Sequence, residues 1–342
     1  MNLLKLPELK KPFICVDIGS NWCVGNTEAD RLILAKRHIY DAAICGVDAV
    51  KFQLFTDREL YGFEGPNKYA LPRNWIPELA AYAATQGVEF MCSAFSVEGI
   101  HYVDNFVNIH KLASAEMKHP LMLQALGKTK KPTIISTGGA HFLEKQWALK
   151  FWESNGFDPD QMAFLECVAL YPASASDYNL KTIQRDRTIG LSDHCTDAFV
   201  AGIAVGCGAW FFEKHFNALA DCRDQTILPD YSVSIGVKDL NSYVMQIHSA
   251  YSALGDGEKR TRGSEKEMTM KWRRRLKIIK RVARGDMLVY GENFGIFRSM
   301  NSDPDGDAPE KWEYYNGAIA SCSFKIGDGL FASDITRKEV AQ

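Results

Sequence analysis

Short apolar runs recur along the first two thirds of the chain, each ending in small or polar residues. They are FICVDIG (13–19), AVKFQLF (49–55), EFMCSAFS (89–96), IHKLASAE (109–116), PTIISTGG (132–139), AFLECVALYP (163–172), TIGLSDH (188–194) and WFFEKHF (210–216). Their apolar residues are nearly continuous, the pattern of parallel strands covered on both faces. A helical pattern follows each run. After the first, Thr27 and Asp30 have capping-box spacing, Leu32, Ala35, Ile39 and Ala43 share a face, and Gly46 offers a left-handed stop. Between the second and third runs, Pro77 marks a helix start, Leu79, Tyr82 and Ala83 make the stripe, and Gly87 closes it. Eight strand–helix units within about 250 residues predict a (β/α)8 barrel, the α/β TIM fold. An open doubly wound sheet is the alternative, but no GxGxxG follows the first run.

The pattern changes near Leu254. GDGEKRTRGSEKEMTMKWRRR (255–275) is strongly charged and contains glycines. It reads as a solvated connector rather than a nucleic-acid surface, since its charges are not interleaved with aromatics. Beyond it, short β-like pieces separated by glycine turns predict a second, small β-rich domain. The expected division is a barrel at 1–256, a linker at 257–274 and a small domain at 275–342.

Composition adds exclusions. The chain has 342 residues, with 40 Lys plus Arg against 42 Asp plus Glu and a formal net charge of -2. Such a balance creates no global field for nucleic acid. Nine cysteines, an odd number spread without a CxxC, read as free thiols in a reducing compartment. The apolar stretch from Ala198 to Phe212 is too short to span a bilayer, and the N-terminus lacks a signal-peptide core. A cytoplasmic protein without nucleic-acid or membrane partners is expected.

Active sites of such barrels lie at the C-terminal strand ends. Those ends carry Asp17; Lys51 and Gln53; Ser93; Lys111, Ser114 and Glu116; Ser136 and Thr137; Tyr171; Ser192, Asp193 and His194; and Glu213, Lys214 and His215. His194 and His215 close adjacent strands, roughly 4.8 Å apart in a sheet, so they could share a divalent metal such as Mn, Fe or Zn. The alternative is two satisfied histidines packed at the rim, and the pair by itself does not decide between them. Lys51 and Lys111, with Ser93, Ser114, Ser136 and Ser192, would present two ammonium groups and four hydroxyls to a phosphate or carboxylate. Gly138 and Gly139 let backbone N–H groups approach the same anion. Singly, each serine is as well explained as a helix cap.

The stretches VKFQ (50–53), KLASAE (111–116), ISTGGA (135–140), LYPAS (170–174), GLSDH (190–194) and FEKHF (212–216) resemble the N-acetylneuraminate (sialic acid) synthase family. ARGDMLVYGENFGIFR (283–298) and KIGDGL (325–330) resemble its small C-terminal antifreeze-like (SAF) domain. The resemblance implies condensation of phosphoenolpyruvate with an N-acyl amino sugar. It implies metal ligands at His194 and His215, with manganese first and magnesium or cobalt as alternatives. It places phosphoenolpyruvate on Lys51, Ser93, Lys111, Ser114, Ser136 and Ser192, and the sugar near Gln53, Glu116, Tyr171 and Asp230. It also implies a homodimer in which Arg298 of one SAF domain meets the sugar in the partner's barrel. Glu116 or Asp17 would manage a proton.

The chain departs from the family at Asp17, where the family has Glu, and at Ala169, where it has Asn or Ser. It departs again at Ser299, Met300 and Asn301, which replace Pro-Gly-Asn, and in a short loop from Thr56 to Asn74, where Asn67 is a weak candidate for a sugar contact. Two other readings compete: another metal-dependent synthase or aldolase that uses phosphoenolpyruvate on the same barrel, and a non-catalytic sugar-binding relative.

Overall fold

A computed structural model describes residues 11–220, 230–298 and 306–336. The chain divides into two compact units, Met1–Asp256 and Gly257–Gln342. The first is the expected TIM barrel. Its eight strands close in sequence order: β1 (Phe13–Gly19), β2 (Ala49–Leu54), β3 (Glu89–Ala94), β4 (His110–Leu112), β5 (Thr133–Ser136), β6 (Met162–Cys167), β7 (Thr188–Asp193) and β8 (Phe211–His215). Parallel pairing of β1 with β8, Phe13↔Phe211 to Asp17↔His215, completes the ring.

Strand side chains alternate between inside and outside. The inner set changes character along the barrel axis. At one end Cys15, Ala49, Met91, Ile109, Ile134, Ala163, Leu165 and Phe211 form a closed apolar plug. Two residues further along the same strands stand Asp17, Lys51, Ser93, Lys111, Ser136, Cys167 and Glu213, again pointing inward. The outer set, including Val16, Val50, Phe52, Phe90, Ile135, Phe164 and Phe212, packs with the helices into a second, larger core. One floor of apolar side chains thus supports one layer of polar ones.

Helix α1 (Glu28–Ile44) starts with the capping box: Asp30 N–H donates to Thr27 Oγ1 and Thr27 N–H to Asp30 Oδ2. Its buried face is Leu34, Ala35, His38, Ile39 and Ala42, while Leu32 and Ala43, placed in the stripe by periodicity, are only half-buried. Gly46 takes a φ of 84° as the stop. Helices α2 (Asp57–Tyr61), α3 (Ile76–Thr85), α4 (Val97–Val103), α5 (Pro120–Thr129), α6 (Phe142–Ser154), α7 (Phe199–Gly206) and α8 (Val237–Leu254) complete the outer layer.

Two expectations are corrected here. The run 109–116 does not stay extended: β4 stops at Leu112, and Ser114–Glu116 is a 3-10 turn. Nor does a helix follow every strand. Between β6 and β7 all residues are described, and they contain only the short 3-10 turns Ala175–Asp177 and Leu180–Thr182. The sequence there, ASASDYNLKTIQRDR, breaks any apolar stripe with polar and turn-forming residues.

The second unit holds α9 (Lys266–Trp272), within the stretch expected as a connector and supported by a Glu267–Lys271 pair at 2.7 Å. It also holds an antiparallel pair, β9 (Arg274–Ile278) with β10 (Phe294–Arg298), the short helix α10 (Trp312–Tyr315), and a smaller pair, β11 (Ile319–Ala320) with β12 (Ile335–Thr336). Leu276, Ile278, Val282, Leu288, Phe294, Tyr315 and Leu330 make its core. Arg298 lies at the end of β10, exposed and opposite Arg274. Ser299, Met300 and Asn301 lie outside the described residues.

Gly190 on β7 marks the closest approach in the barrel wall: a Cβ there would sit 1.8 Å from the Phe211 carbonyl oxygen. Backbone, not a flexible side chain, is the obstacle. Gly190→Ala is expected to cost about 3 kcal/mol or more, read as a lowered urea midpoint. An unchanged midpoint would show that β7 and β8 separate freely.

Candidate active site

The polar layer closes a small cavity of about 60 Å³ at the C-terminal strand ends. It is narrow because its charged groups are drawn onto one another. Lys51 Nζ lies 2.6 Å from Asp17 Oδ2, 3.3 Å from Ser93 Oγ and 3.8 Å from Glu213 Oε2. Lys111 Nζ donates to Ser136 Oγ at 2.7 Å and lies 3.5 Å from Glu213 Oε1. Ser192 donates to the same Glu213 oxygen at 3.1 Å. All of these charges are at least 95% buried, so their pairing is what makes them tolerable.

The charges set one another's protonation. Burial alone would push Lys51 down, but Asp17 and Glu213 outweigh it and raise its pKa. Asp17 and Glu213 are lowered: burial opposes this, and is overcome by Lys51 and His215 at Asp17 and by Lys111 and Lys51 at Glu213. Lys111 is lowered, because burial exceeds what Glu213 returns. The layer is therefore ionised, with one carboxylate shared between two ammonium groups.

The histidines stand beside this cluster with ring centroids 5.4 Å apart. His194 Nδ1 lies 2.6 Å from the Val168 carbonyl oxygen, which fixes the proton on Nδ1 and leaves Nε2 as the electron-pair donor. Burial and the neighbouring His215 push its pKa down to about 4. His215 is raised instead: burial would lower it, but Asp17 Oδ2 at 3.7 Å and Asp230 Oδ2 at 3.6 Å win. Its buried Nδ1 has no hydrogen-bond partner among the described residues. A neutral imidazole and an under-satisfied one fit a divalent ion. Among the described residues no three His, Cys, Asp or Glu side chains converge to hold an ion unaided, so water or substrate would complete the coordination.

Of the expected residues, Asp17, Lys51, Gln53, Ser93, Lys111, Ser114, Ser136, Tyr171, Ser192, His194 and His215 all line this cavity. Gln53 donates to Asp17 Oδ2 at 3.0 Å, and the Tyr171 ring covers His194 at 4.2 Å. Ser114 accepts from Gly138 N–H at 2.9 Å, so the glycine turn holds the hydroxyl in place. Asp230 stands beside His215 and does not line the cavity; nor does Glu116, half-buried on its 3-10 turn with a pKa raised by burial. Asn67 exchanges hydrogen bonds with Asp57 inside its own loop, 2.8 Å each way. Arg298 belongs to the second unit.

Strand alternation corrects the list of strand-end groups. Asp193 and Lys214 point outward, where they pair at 3.4 Å, both fully buried. Tyr178 donates to Asp193 at 3.3 Å and accepts from the His194 N–H at 2.8 Å, so this outer pair fixes the backbone that carries His194. Thr137 is likewise structural, its hydroxyl donating to the Leu165 carbonyl. Glu213, by contrast, stood among the strand-end groups without an assigned role, yet it joins both lysines. The signal was available: in FFEKH the inward period selects Glu213 and His215 and excludes Lys214. Cys167 also faces the cavity, 3.9 Å from His194 Nδ1. Every described cysteine is a free thiol, and Cys222 lies outside the described residues.

The NeuB family profile matches residues 38–259. The chain belongs to this family of sialic acid synthases. It is 30% identical over 308 residues to an N,N'-diacetyllegionaminic acid synthase of Legionella pneumophila, spanning 80% of this chain and 85% of that one. It is 28% identical over 351 residues to a pseudaminic acid synthase of Campylobacter jejuni, with 95% and 97% covered. Among solved structures, the N-acetylneuraminic acid synthetase of Leptospira borgpetersenii aligns with a TM-score of 0.66 at 24% identity, covering 76% of this chain and 90% of that one. Spore coat polysaccharide biosynthesis protein E of Chromobacterium violaceum aligns with 0.69 at 21%, covering 96% and 100%. These two support the fold. Relatives in the family are thus synthases of nonulosonic acids. No described helix is long and apolar enough to cross a membrane.

The two imidazoles should titrate apart. In metal-free protein, histidine NMR should place His194 at about 4 and His215 above the ordinary value of about 6.5. A lowered histidine makes the unfolded chain bind more protons, so the His194 contribution to stability is lost as pH falls from about 6.5 toward the folded value. Overlapping titrations near 6.5 would contradict the assigned contacts.

Proposed function

We propose that the protein condenses phosphoenolpyruvate with an N-acyl amino sugar resembling N-acetylmannosamine, giving a nonulosonic acid and phosphate. The observation that carries this reading is the convergence of Lys51, Lys111 and four serines with two histidines in one cavity of a NeuB-family barrel. The names of the relatives support it.

On this reading the lysines meet the substrate's phosphate and carboxylate, exchanging their bonds to Asp17 and Glu213 for bonds to the incoming anion. Ser93, Ser114, Ser136 and Ser192 donate to its remaining oxygens. His194 and His215 hold a divalent metal, manganese being our first choice. When bound it supplies Lewis-acid polarisation of the acceptor aldehyde and orientation of water. A bond forms between carbon three of phosphoenolpyruvate and the aldehyde carbon; water adds at carbon two, and phosphate leaves by carbon–oxygen cleavage. Glu116 or Asp17 manages a proton: Glu116 is raised by burial but stands outside the cavity lining, and Asp17 lines it but is held ionised by Lys51. Gln53, Tyr171 and Asp230 face the sugar. Asp17 is one methylene shorter than the family's Glu and is spent on Lys51 and Gln53, and Ala169 brings only a methyl group to the Gly138 turn. Both changes bear on acceptor choice.

An acceptor-sugar panel with phosphoenolpyruvate and manganese, read by phosphate release and product mass, tests the reading. Chelation, His194→Ala or His215→Ala should abolish turnover. Lys51→Ala should raise the phosphoenolpyruvate requirement roughly 10–100-fold, for one charged hydrogen bond of about 1.5–3 kcal/mol. Release of phosphate without a carbon–carbon product, or full activity in metal-free buffer, would refute it.

We further propose that the second unit is an SAF domain and that Arg298 serves the partner's barrel in a homodimer, where a guanidinium suits an amide carbonyl. Arg298→Ala dimers and His194→Ala dimers should each be nearly inactive. Re-annealed mixtures should regain activity, since one barrel per heterodimer then has intact histidines and an intact arginine. A fully active monomer would rule this out.

A further inference from the structure

The stretch between β6 and β7, where a barrel helix is expected, leaves a separate cavity of about 420 Å³ outside the barrel wall. Its lining includes Lys145, Arg185, Glu166, Asp186, Asn179 and Thr182. The barrel chemistry described above uses none of them.

The cations of this cavity are under-used. Lys145 on α6 is only 8% exposed, yet its ammonium bonds one hydroxyl, Thr188 Oγ1 at 2.7 Å, and otherwise faces the Phe164 ring at 5.2 Å. It forms no ion pair among the described residues, and neither does Arg185. The two carboxylates are oriented by neutral donors, Glu166 by the Thr182 hydroxyl at 2.5 Å and Asp186 by the Gln146 amide at 3.3 Å, rather than by contact with Lys145 or Arg185. A buried ammonium with no carboxylate in contact is costly, since Glu166 and Asp186 act on it only from a distance. Burial lowers the Lys145 pKa, with Asp186 and Glu166 offsetting only part of it, so an anion at hand would favour its charged form.

The backbone beside it is strained in the same place. Gln184, Asp186 and Arg187 have φ values of 67°, 46° and 61°, three non-glycine residues of one short loop in the left-handed region. Such residues are strained and persist where the surroundings hold them. Here Arg187 is held by Asp160 at 3.0 Å, and the loop delivers Arg185 to the cavity mouth.

We propose that this cavity is a second ligand site, taking a monosaccharide-sized metabolite that carries a carboxylate or a phosphate. The anionic group would sit between Lys145 and Arg185, with Asn179 and Thr182 meeting hydroxyls on its body. The volume lies within the roughly 300–1,000 Å³ of ordinary small-molecule pockets. Cys167 lines both this cavity and the catalytic one, so the two sites share a wall. The inference stands on this geometry and not on the reaction proposed above.

Calorimetric titration of the full chain tests it with two probes, inorganic phosphate and N-acetylneuraminate, a carboxylated sugar. For at least one probe the wild type should bind one equivalent more than Lys145→Met. Arg185→Ala, a surface change that leaves the core intact, should weaken that equivalent roughly tenfold, as for one charge-assisted bond. Occupancy by phosphate would identify a phosphorylated ligand; occupancy by the sugar acid alone would identify a carboxylate. Both variants should keep turnover within about twofold of wild type, whatever reaction the barrel performs. If Lys145→Met does not fold, Arg185→Ala decides alone. Equal stoichiometry and affinity in wild type and variants, for both probes, would overturn the site.

Discussion

Two ammonium groups stand inside a closed parallel barrel, and the rest of the site depends on how they are kept charged there. An isolated buried lysine would lose its proton or break the fold. Glu213 prevents both by lying within 4 Å of Lys51 and Lys111, while Asp17 takes the short 2.6 Å bond to Lys51. Such ion clusters add little net stability over an apolar filling, because desolvation consumes most of the Coulomb gain. Their presence above an otherwise apolar plug therefore points to chemistry. Stability comes from the floor below and from the helix layer outside.

The division of labour along each strand explains why the fold was largely legible. The eight apolar runs marked the strands because both faces of a parallel barrel strand are covered; strand starts agreed to within a residue, while the fourth, fifth and sixth runs overshot their strand ends by three to five residues. Periodicity failed where packing uses polar atoms. His38 lies fully buried on α1 with Nδ1 2.8 Å from the Leu34 carbonyl and Nε2 3.3 Å from Asn217 Oδ1, a role no hydrophobic pattern can announce. It failed again after β6, where the barrel omits a helix and only the rule that barrels alternate had supplied one.

The candidate site was legible to the extent that strand ends converge. That argument gathered the lysines, the serines and the histidines without regard to which face each side chain takes. The pleat then separates inner from outer residues, and motifs such as LSDH and FFEKH split accordingly. Ser192, His194, Glu213 and His215 enter the cavity, while Asp193 and Lys214 become a buried brace outside it. Position in sequence cannot distinguish a brace from a reactant; inside-or-outside parity can. Residues on the loops above the barrel, Glu116 and Asp230, stayed at the margin because no such parity governs them.

Charge accounting links the site to what it would hold. The site's own side chains are close to balanced: Lys51, Lys111 and a raised His215 face Asp17, Glu213 and Asp230. Phosphoenolpyruvate would add two to three negative charges, and two lysines already committed to carboxylates cannot neutralise them all. Like charges at such distances and low dielectric repel by several kcal/mol. Some positive charge must therefore enter with the substrate, as protons on the carboxylates or as a cation beside them. Asp17 and Glu213 are lowered by the same lysines the anion would engage, so its arrival would raise them and favour proton uptake, while Asp230 stays lowered by His215. His194, held neutral with Nε2 unprotonated, keeps an electron pair with which it would meet a cation entering beside the anion. The same accounting gives Asp17 its weight: tied to Lys51 and 3.7 Å from His215, it holds that imidazole's pKa up while His194 stays neutral.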